Sequence, residues 1–187
     1  MSDVWVFGYG SLMWDPGFPH ADAAPALIRG WHRAFSIVSH ESWGSAERPG
    51  LVAALHAGGA CRGLALRVRG RDRADALDYL DRRENAYRRI AATVELTAGR
   101  RRTTVSAVTY VFDAAHERAV GKLPLARTAR LIAQGEGRKG SARGYLLNTV
   151  GCLTDMGSRP GRPLRELVDA VNAHASGIGT DASTPPV

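Results

Sequence analysis

The sequence has little cysteine, little lysine and no long hydrophobic segment. Its two cysteines, Cys61 and Cys152, are too few for a disulfide framework or a four-ligand zinc site. The six histidines show no His-x-x-x-His spacing and have no neighbouring cysteines, so we expect no metal. No apolar run approaches the roughly 18 residues that a membrane-spanning helix needs. These absences exclude a disulfide-rich protein and a helical membrane protein.

The amino terminus gives no sign of export. Met1-Ser2-Asp3 carries no basic segment of the kind that opens a signal peptide, and the apolar stretch that follows is too short for its hydrophobic region. We therefore expect two free thiols in a reducing cytoplasm. With 187 residues, the chain has about the length of one domain. We expect a single domain over residues 1–175 and a disordered tail, rich in Ser, Thr, Gly and Pro, over residues 176–187.

Positive charge is in excess, and arginine supplies nearly all of it. The formal net charge is +7, and Lys122 and Lys139 are the only lysines among 25 basic residues. Such an excess is typical of proteins that bind nucleic acids. The arginines are spread over the predicted strands and helices and form no single block, so a basic nucleic-acid-binding domain stays an alternative to an enzyme. A basic surface also attracts acidic substrates.

Short strands fill the first two thirds of the chain, and helices fill the last third. After an opening strand from Val4, the pattern predicts strands over 26–40, 51–56, 61–68, 90–96 and 103–112, and helices over 72–85, 124–134, 141–156 and 162–174. Ala57-Gly58-Gly59 predicts a hairpin between two of the strands. This order indicates an α+β fold, a small mixed and strongly curled β-barrel flanked by helices.

The opening strand breaks into a glycine turn, Gly8-Tyr9-Gly10-Ser11-Leu12. Glycine after a strand permits a left-handed backbone and lets another molecule approach the backbone closely. Successive N–H groups of such a turn can hold a carboxylate or a developing oxyanion. The alternative is a hairpin turn that binds nothing. The serine stands one place too late for the G-x-S-x-G elbow of the α/β-hydrolases.

Glu84 is the candidate catalytic residue. It follows Leu77 by seven residues and Leu80 by four, which places it on the inward face of the predicted helix. A carboxylate facing the core is costly unless it is paired, or unless its pKa rises towards neutrality. A raised pKa suits a general base. The alternatives are a structural ion pair with an arginine such as Arg89, and a helix end that simply reaches solvent.

Two further segments invite a functional interpretation. In the helix over 141–156, Tyr145, Asn148, Thr149 and Cys152 form a hydrogen-bonding stripe that suits a pocket wall or a partly exposed helix flank. Just before this helix, residues 135–141 read Gly-Glu-Gly-Arg-Lys-Gly-Ser. The lysine stands before the last glycine, so this segment does not match a phosphate-binding loop.

Several of these segments, in order, resemble the γ-glutamylcyclotransferase superfamily and most closely its ChaC branch. Residues 7–14 resemble the signature F-G-Y-G-S-L-[IM]-W, residues 27–35 a following strand motif, residues 80–84 a helix end Y-L-x-x-R-E, and residues 145–149 a late helical motif. The resemblance covers residues 4–157. Residues 85–89 are shorter than the branch's segment and lack its glycine, and residues 42–46 differ from its R-G-T-P. We expect both segments to border the pocket.

The resemblance implies a barrel-like fold, no metal or organic cofactor, and cleavage of a γ-glutamyl amide to 5-oxoproline and an amine. In the ChaC branch the substrate is glutathione and the products are 5-oxoproline and cysteinylglycine; another γ-glutamyl peptide or amine is the alternative. Glu84 matches the catalytic glutamate, which acts as general acid and base. The residues implied to bind the substrate are Tyr9, Gly10, Ser11, Leu12 and Tyr145. An inactive scaffold of the same fold is a further interpretation, against which the inward glutamate argues.

Overall fold

Five strands close into a barrel in the computed structural model, which describes residues 2–98, 101–113 and 115–176. They are β1 (Val4–Gly8), β2 (Asp22–Ser39), β3 (Gly50–Val68), β4 (Tyr87–Ala98) and β5 (Arg101–Phe112). In the order β1-β3-β2-β4-β5, neighbouring strands are antiparallel, and the barrel closes where β1 pairs in parallel with β5. The predicted mixed, curled barrel is confirmed.

The helices and one small hairpin complete the chain. They are α1 (Arg73–Arg83), α2 (Leu125–Gln134), the hairpin strands β6 (Glu136–Gly137) and β7 (Gly140–Ser141), α3 (Ala142–Asp155) and α4 (Arg162–Ala175). The predicted helices agree to within two residues at each end. The hairpin was not predicted, because each of its strands has only two residues. None of the helices in the described ranges is both long and apolar enough to cross a membrane.

The two faces of β1 pack against different helices because side chains alternate along a strand. Val6 is fully buried in one cluster with Leu80 of α1, whereas Phe7 is fully buried in the main cluster with Ile132 of α2 and Leu146 of α3. Strand β1 is therefore held from both sides. The glycine turn that follows it starts from a rigid strand end.

The hairpin predicted at residues 57–59 is wrong. Residues 50–68 form one strand because β2 is nearly as long, and the two pair from Asp22 with Arg67 to Ser39 with Gly50. Gly58 and Gly59 have φ angles of +93° and +73°, which glycine adopts without strain. They lie where the register shifts in the facing strand, so they bend the ribbon without reversing it. The predicted tail lies outside the described residues from residue 177 onwards.

Candidate active site

A cavity of about 550 Å³ brings together every site residue predicted from the sequence. Those residues are Tyr9, Gly10, Ser11, Leu12, Glu84 and Tyr145. Residues 37–43, 52–53 and 85–87 contribute much of the remaining wall. The two segments that depart from the ChaC pattern thus border the cavity, as expected. A cavity of this size suits a small organic molecule.

The glycine turn has N–H groups without backbone partners at its start. Residues Ser11–Met13 form a single 3₁₀ turn, in which the N–H of Met13 donates to the carbonyl of Gly10 (2.9 Å). The N–H groups of Trp14 and Asp15 both donate to the carbonyl of Ser11, at 3.1 and 2.8 Å. Over residues 2–98, 101–113 and 115–176, no backbone carbonyl accepts the N–H groups of Gly10, Ser11 or Leu12. Such a helix start is suited to an anion.

The glycines of the turn are needed for close approach and not for an unusual backbone. Gly10 has φ −133°, and neither it nor Gly8 adopts a left-handed conformation. A Cβ atom on Gly10 would overlap the hydroxyl oxygen of Tyr145, and one on Gly8 would lie 2.8 Å from the Cβ of Leu12. The left-handed backbone that glycine permits is therefore not used here, whereas the close approach is present and is made by a side chain of the protein itself.

Tyr145 stands at the centre of an aromatic cluster. Its ring meets those of Trp14, Trp43 and Phe35 edge to face, with centroids 5.1, 5.3 and 6.1 Å apart. Burial, and then the charge of Glu84, raise the pKa of Tyr145 to about 12, while Arg33 and the backbone amides of Ala53 and Ser11 act in the opposite direction. The hydroxyl therefore stays protonated at neutral pH.

Glu84 ends α1 and faces the cavity. It is the residue immediately after the last helical residue, and its N–H donates to the carbonyl of Leu80 (2.8 Å). Its side chain is 17% exposed, and one carboxylate oxygen lies 3.4 Å from Nε of Arg83. Burial raises the pKa of Glu84, whereas the charges of Arg83 and Lys139 lower it. The alternative of an ion pair with an arginine is therefore met by Arg83 and not by Arg89, which pairs with Asp81 at 2.8 Å.

Arg83 is a site residue that the sequence did not reveal. Its guanidinium donates to Oγ of Ser11 (3.1 Å) and to the carbonyls of Asp15 (2.7 Å) and Pro16 (3.2 Å). The side chain is only 10% exposed. Arg83 thus joins the end of α1 to the glycine turn. The arginine of the helix-end motif Y-L-x-x-R-E falls on Arg83 and was the available signal, but its partner Ser11 lies 72 residues away in the chain.

Tyr9 contributes its backbone to the site, while its side chain anchors the turn. The Tyr9 hydroxyl donates to the carbonyl of Tyr110 (2.9 Å), and the Tyr9 carbonyl accepts a bond from Nε of Arg33 (2.7 Å). Burial raises the pKa of the Tyr9 phenol well above its usual value. Both ends of the residue are therefore held, which keeps the following N–H groups in place.

The rest of the α3 stripe does not reach the cavity. Asn148 is exposed, and the buried Thr149 donates its hydroxyl to the carbonyl of Tyr145 (2.9 Å). Cys152 is half-buried and lies outside the cavity wall. The pocket-wall interpretation therefore holds for Tyr145 alone. Within the described residues, His, Cys, Asp and Glu form no group that could hold a metal ion.

Curated relatives cover most of this chain. It is 32% identical over 157 residues to the glutathione-specific gamma-glutamylcyclotransferase of Escherichia coli (strain K12), an alignment that covers 82% of this chain and 67% of the relative. It is also 32% identical over 162 residues to gamma-glutamylcyclotransferase 2-3 of Arabidopsis thaliana, covering 82% and 81% of the two chains.

A solved structure shows the same fold. The crystal structure of a γ-glutamylcyclotransferase specific to glutathione from yeast superimposes with a TM-score of 0.86 and covers 93% of this chain and 97% of its own, at 22% identity. The model of the family described as ChaC-like protein matches residues 4–174, and hence nearly all of the barrel and its helices. With the barrel, the glycine turn and the inward Glu84 on one cavity, the chain belongs to the ChaC-like family.

Proposed function

We propose that this protein is a γ-glutamylcyclotransferase that cleaves glutathione to 5-oxoproline and cysteinylglycine, with Glu84 as general base and then general acid. The observation that carries the proposal is the part-buried carboxylate of Glu84, with a raised pKa, on the same cavity as the free N–H groups of the glycine turn. The names of the relatives from Escherichia coli and yeast support glutathione as the substrate.

Glu84 opens the reaction by removing a proton from the α-ammonium group of the substrate. The freed α-amine attacks the γ-carbonyl carbon of the same molecule, so the reaction needs no protein nucleophile. A raised pKa makes Glu84 a stronger base than an exposed carboxylate, and the charges of Arg83 and Lys139 keep it ionised. The cavity holds the γ-glutamyl chain folded, so that the two reacting atoms meet within one molecule.

The glycine turn stabilises the oxyanion that ring closure creates. The N–H groups of Gly10 and Leu12 are available as donors, the N–H of Ser11 lies at the Tyr145 hydroxyl, and the anchors on both ends of Tyr9 hold the turn in place before the substrate arrives. Donors that need no rearrangement stabilise the transition state more than the ground state. The turn thus lowers the barrier to ring closure.

Collapse of the tetrahedral intermediate breaks the bond between the γ-carbon and the leaving nitrogen. Glu84 returns its proton to that nitrogen. The ring nitrogen loses a second proton to solvent, and the amine of cysteinylglycine gains one from solvent, so the charges of substrate and products balance. The catalytic carboxylate is ionised again at the end of the cycle.

The test is release of 5-oxoproline from glutathione by the wild type and by Glu84→Gln, an isosteric variant without a base. We expect the variant to lose about 10²–10⁴-fold in kcat while its thermal unfolding stays unchanged. Glu166→Gln is the matched control because Glu166 lies on α4 in an exposed pair with Arg162, and we expect full activity from it.

The other outcomes separate the alternatives. Full activity of Glu84→Gln would overturn the assigned base. If the wild type does not cleave glutathione but releases 5-oxoproline from other γ-glutamyl peptides or amines, those compounds are its substrates. Residues 42–43 and 85–87 of the cavity wall would then be the first residues to test for this change of specificity. A wild type inactive on all of them would remove the enzyme proposal. The cytoplasmic location belongs to the same proposal, and cell fractionation tests it.

A further inference from the structure

The turn between β6 and β7 carries two cations at the cavity. Arg138 and Lys139 form the two-residue tip of this hairpin, and both are exposed and line the cavity. The tip belongs to the Gly135–Ser141 segment, whose sequence does not fit a phosphate-binding loop. The reaction proposed above assigns the side chain of Arg138 no task.

The hairpin tip is fixed against the opposite wall of the cavity. The N–H of Arg138 donates to the carbonyl of Glu41 (2.7 Å), and the N–H of Lys139 donates to the carbonyl of Ser42 (2.8 Å). A Cβ atom on Gly137 would overlap the backbone nitrogen of Gly44, so glycine is needed for this contact. The two side chains therefore start from a backbone whose position is set.

Arg118 adds a third cation to the same cavity. Its guanidinium carbon lies 5.6 Å from the ring centroid of Phe112, a cation–π arrangement that orients the side chain. Its carbonyl accepts the N–H of Val38 (2.9 Å), which holds the segment against β2. In the described part of the chain, Arg118, Arg138 and Lys139 form no ion pair with a carboxylate, whereas Arg83 pairs with Asp15 and Glu84.

The charges of the cavity wall leave an excess of cations for a ligand. The wall holds the three unpaired cations and Arg83 against the carboxylates of Glu41 and Glu84. The γ-amide to be cleaved lies at Glu84 and the glycine turn. If the leaving half is a dipeptide, its terminal carboxylate lies roughly 7 Å from the scissile nitrogen, at about 3.5 Å per extended residue. That carboxylate extends past the catalytic carboxylate into the rest of the cavity.

We propose that Arg118, Arg138 and Lys139 form a carboxylate-binding rim that recognises the free C-terminal carboxylate of the leaving peptide. The rim makes γ-glutamyl peptides the preferred substrates over γ-glutamyl amines that lack this carboxylate. Charge-assisted bonds from arginine and lysine are the usual means of holding a carboxylate. This inference rests on the proposed function, since it assigns the substrate class of the same site.

The experiment compares glutathione with its C-terminal amide, which differs only in the carboxylate. For Arg138→Gln we expect KM for glutathione to rise about three- to tenfold with little change in kcat, and KM for the amide to stay at the wild-type value. Lys122→Gln is the matched control, because Lys122 is also basic, is exposed and lies outside the cavity wall. We expect Arg118→Gln to act like Arg138→Gln, and Arg118→Lys to retain most of the preference for glutathione over its amide.

The outcomes distinguish this inference from the function on which it rests. If the wild type cleaves both substrates with equal KM, or if the rim variants change both KM values by the same factor, the carboxylate rim is wrong and the cyclotransferase stands. If the wild type releases 5-oxoproline from neither, the proposed function has failed first. Arg138→Gln changes an exposed side chain at the hairpin tip, so we expect its thermal unfolding to match that of the wild type.

Discussion

Arg83 links the carboxylate of Glu84, the proposed general base, to the glycine turn, the proposed substrate-binding segment. It bonds to Ser11 on one side and lies 3.4 Å from the Glu84 carboxylate on the other. It acts through these two residues, so we regard it as a positioning residue. Its guanidinium makes bonds in three directions, which a lysine cannot reproduce.

We expect the two substitutions of Arg83 to separate position from charge. Arg83→Lys keeps the charge but loses the fork of bonds, so kcat falls about 10- to 100-fold and the acid limb of the kcat/KM profile barely moves. Arg83→Gln also removes a charge that lowers the pKa of Glu84, so the acid limb moves to higher pH. The measurement is the pH profile of kcat/KM for both variants. Wild-type rates in both would contradict a positioning role.

Gly10 and Tyr145 form a pair that a double-mutant cycle can test. A methyl group on Gly10 would overlap the Tyr145 hydroxyl oxygen, and the next nearest atom, Cζ, lies at 3.3 Å. We expect Gly10→Ala to destabilise the fold by about 1–3 kcal/mol, and Tyr145→Phe to relieve most of that cost in the double variant. Urea unfolding of the four proteins measures the coupling. Strictly additive effects would show that the close approach is absent.

At the scale of the elements, local sequence patterns predicted the bounds of the helices. They did not predict the bounds of strands whose length depends on a partner strand. The helix predicted over 141–156 is observed as Ala142–Asp155, since Ser141 caps it by accepting the N–H of Gly144 (2.9 Å). The glycines at 58 and 59 read locally as a hairpin, but the length of the paired β2 decides that β3 continues. Glu84 was predictable from helical spacing, whereas Arg83 and the hairpin tip depend on distant contacts.

Two glycines in neighbouring elements should respond in opposite directions to alanine. Gly151 in α3 has open space around its Cβ position, so Gly151→Ala should stabilise the fold by about 0.5–1 kcal/mol. Gly137 in β6 has backbone atoms of Gly44 and Ser42 at that position, so Gly137→Ala should destabilise it by about 1–3 kcal/mol. Urea unfolding measures both, and a rise in KM for glutathione should accompany Gly137→Ala alone. Equal changes in stability for the two variants would contradict the close packing of the β6–β7 hairpin against residues 42–44.

At the scale of the whole molecule, a few arginines pair with carboxylates across strands. Arg67 of β3 binds Asp3 and Asp22, and Arg29 of β2 binds Glu95 of β4 at 2.6 Å. An arginine that is paired with a carboxylate is less available to bind the phosphates of a nucleic acid. The alternative of a nucleic-acid-binding domain stays a prediction. It requires that binding to a polyanion weakens steeply with salt and is unchanged by Glu84→Gln.

The extent of the domain is tested by shortening the chain. The buried residues Leu167 and Val171 of α4 pack in the main core, so α4 belongs to the fold. We expect a chain that ends at residue 175 to keep the melting temperature and activity of the full chain. A chain that ends at residue 160 loses both side chains from the core, at about 2–5 kcal/mol for each. Thermal unfolding and 5-oxoproline release check both. A loss of stability on removal of 176–187 alone would show that the domain extends further.

The parallel closure of the barrel has a consequence for biosynthesis. Strand β1 leaves the ribosome first, yet its partners β3 and β5 end at residues 68 and 112, and Tyr145 follows later still. At about 5–20 residues per second, roughly 7 to 27 s separate synthesis of the glycine turn from that of Tyr145. The turn, Glu84 and the hairpin tip therefore meet only late in translation. An unfinished chain that ends before Tyr145 contains the glycine turn and Glu84 but lacks a residue that packs against both the turn and the cavity wall.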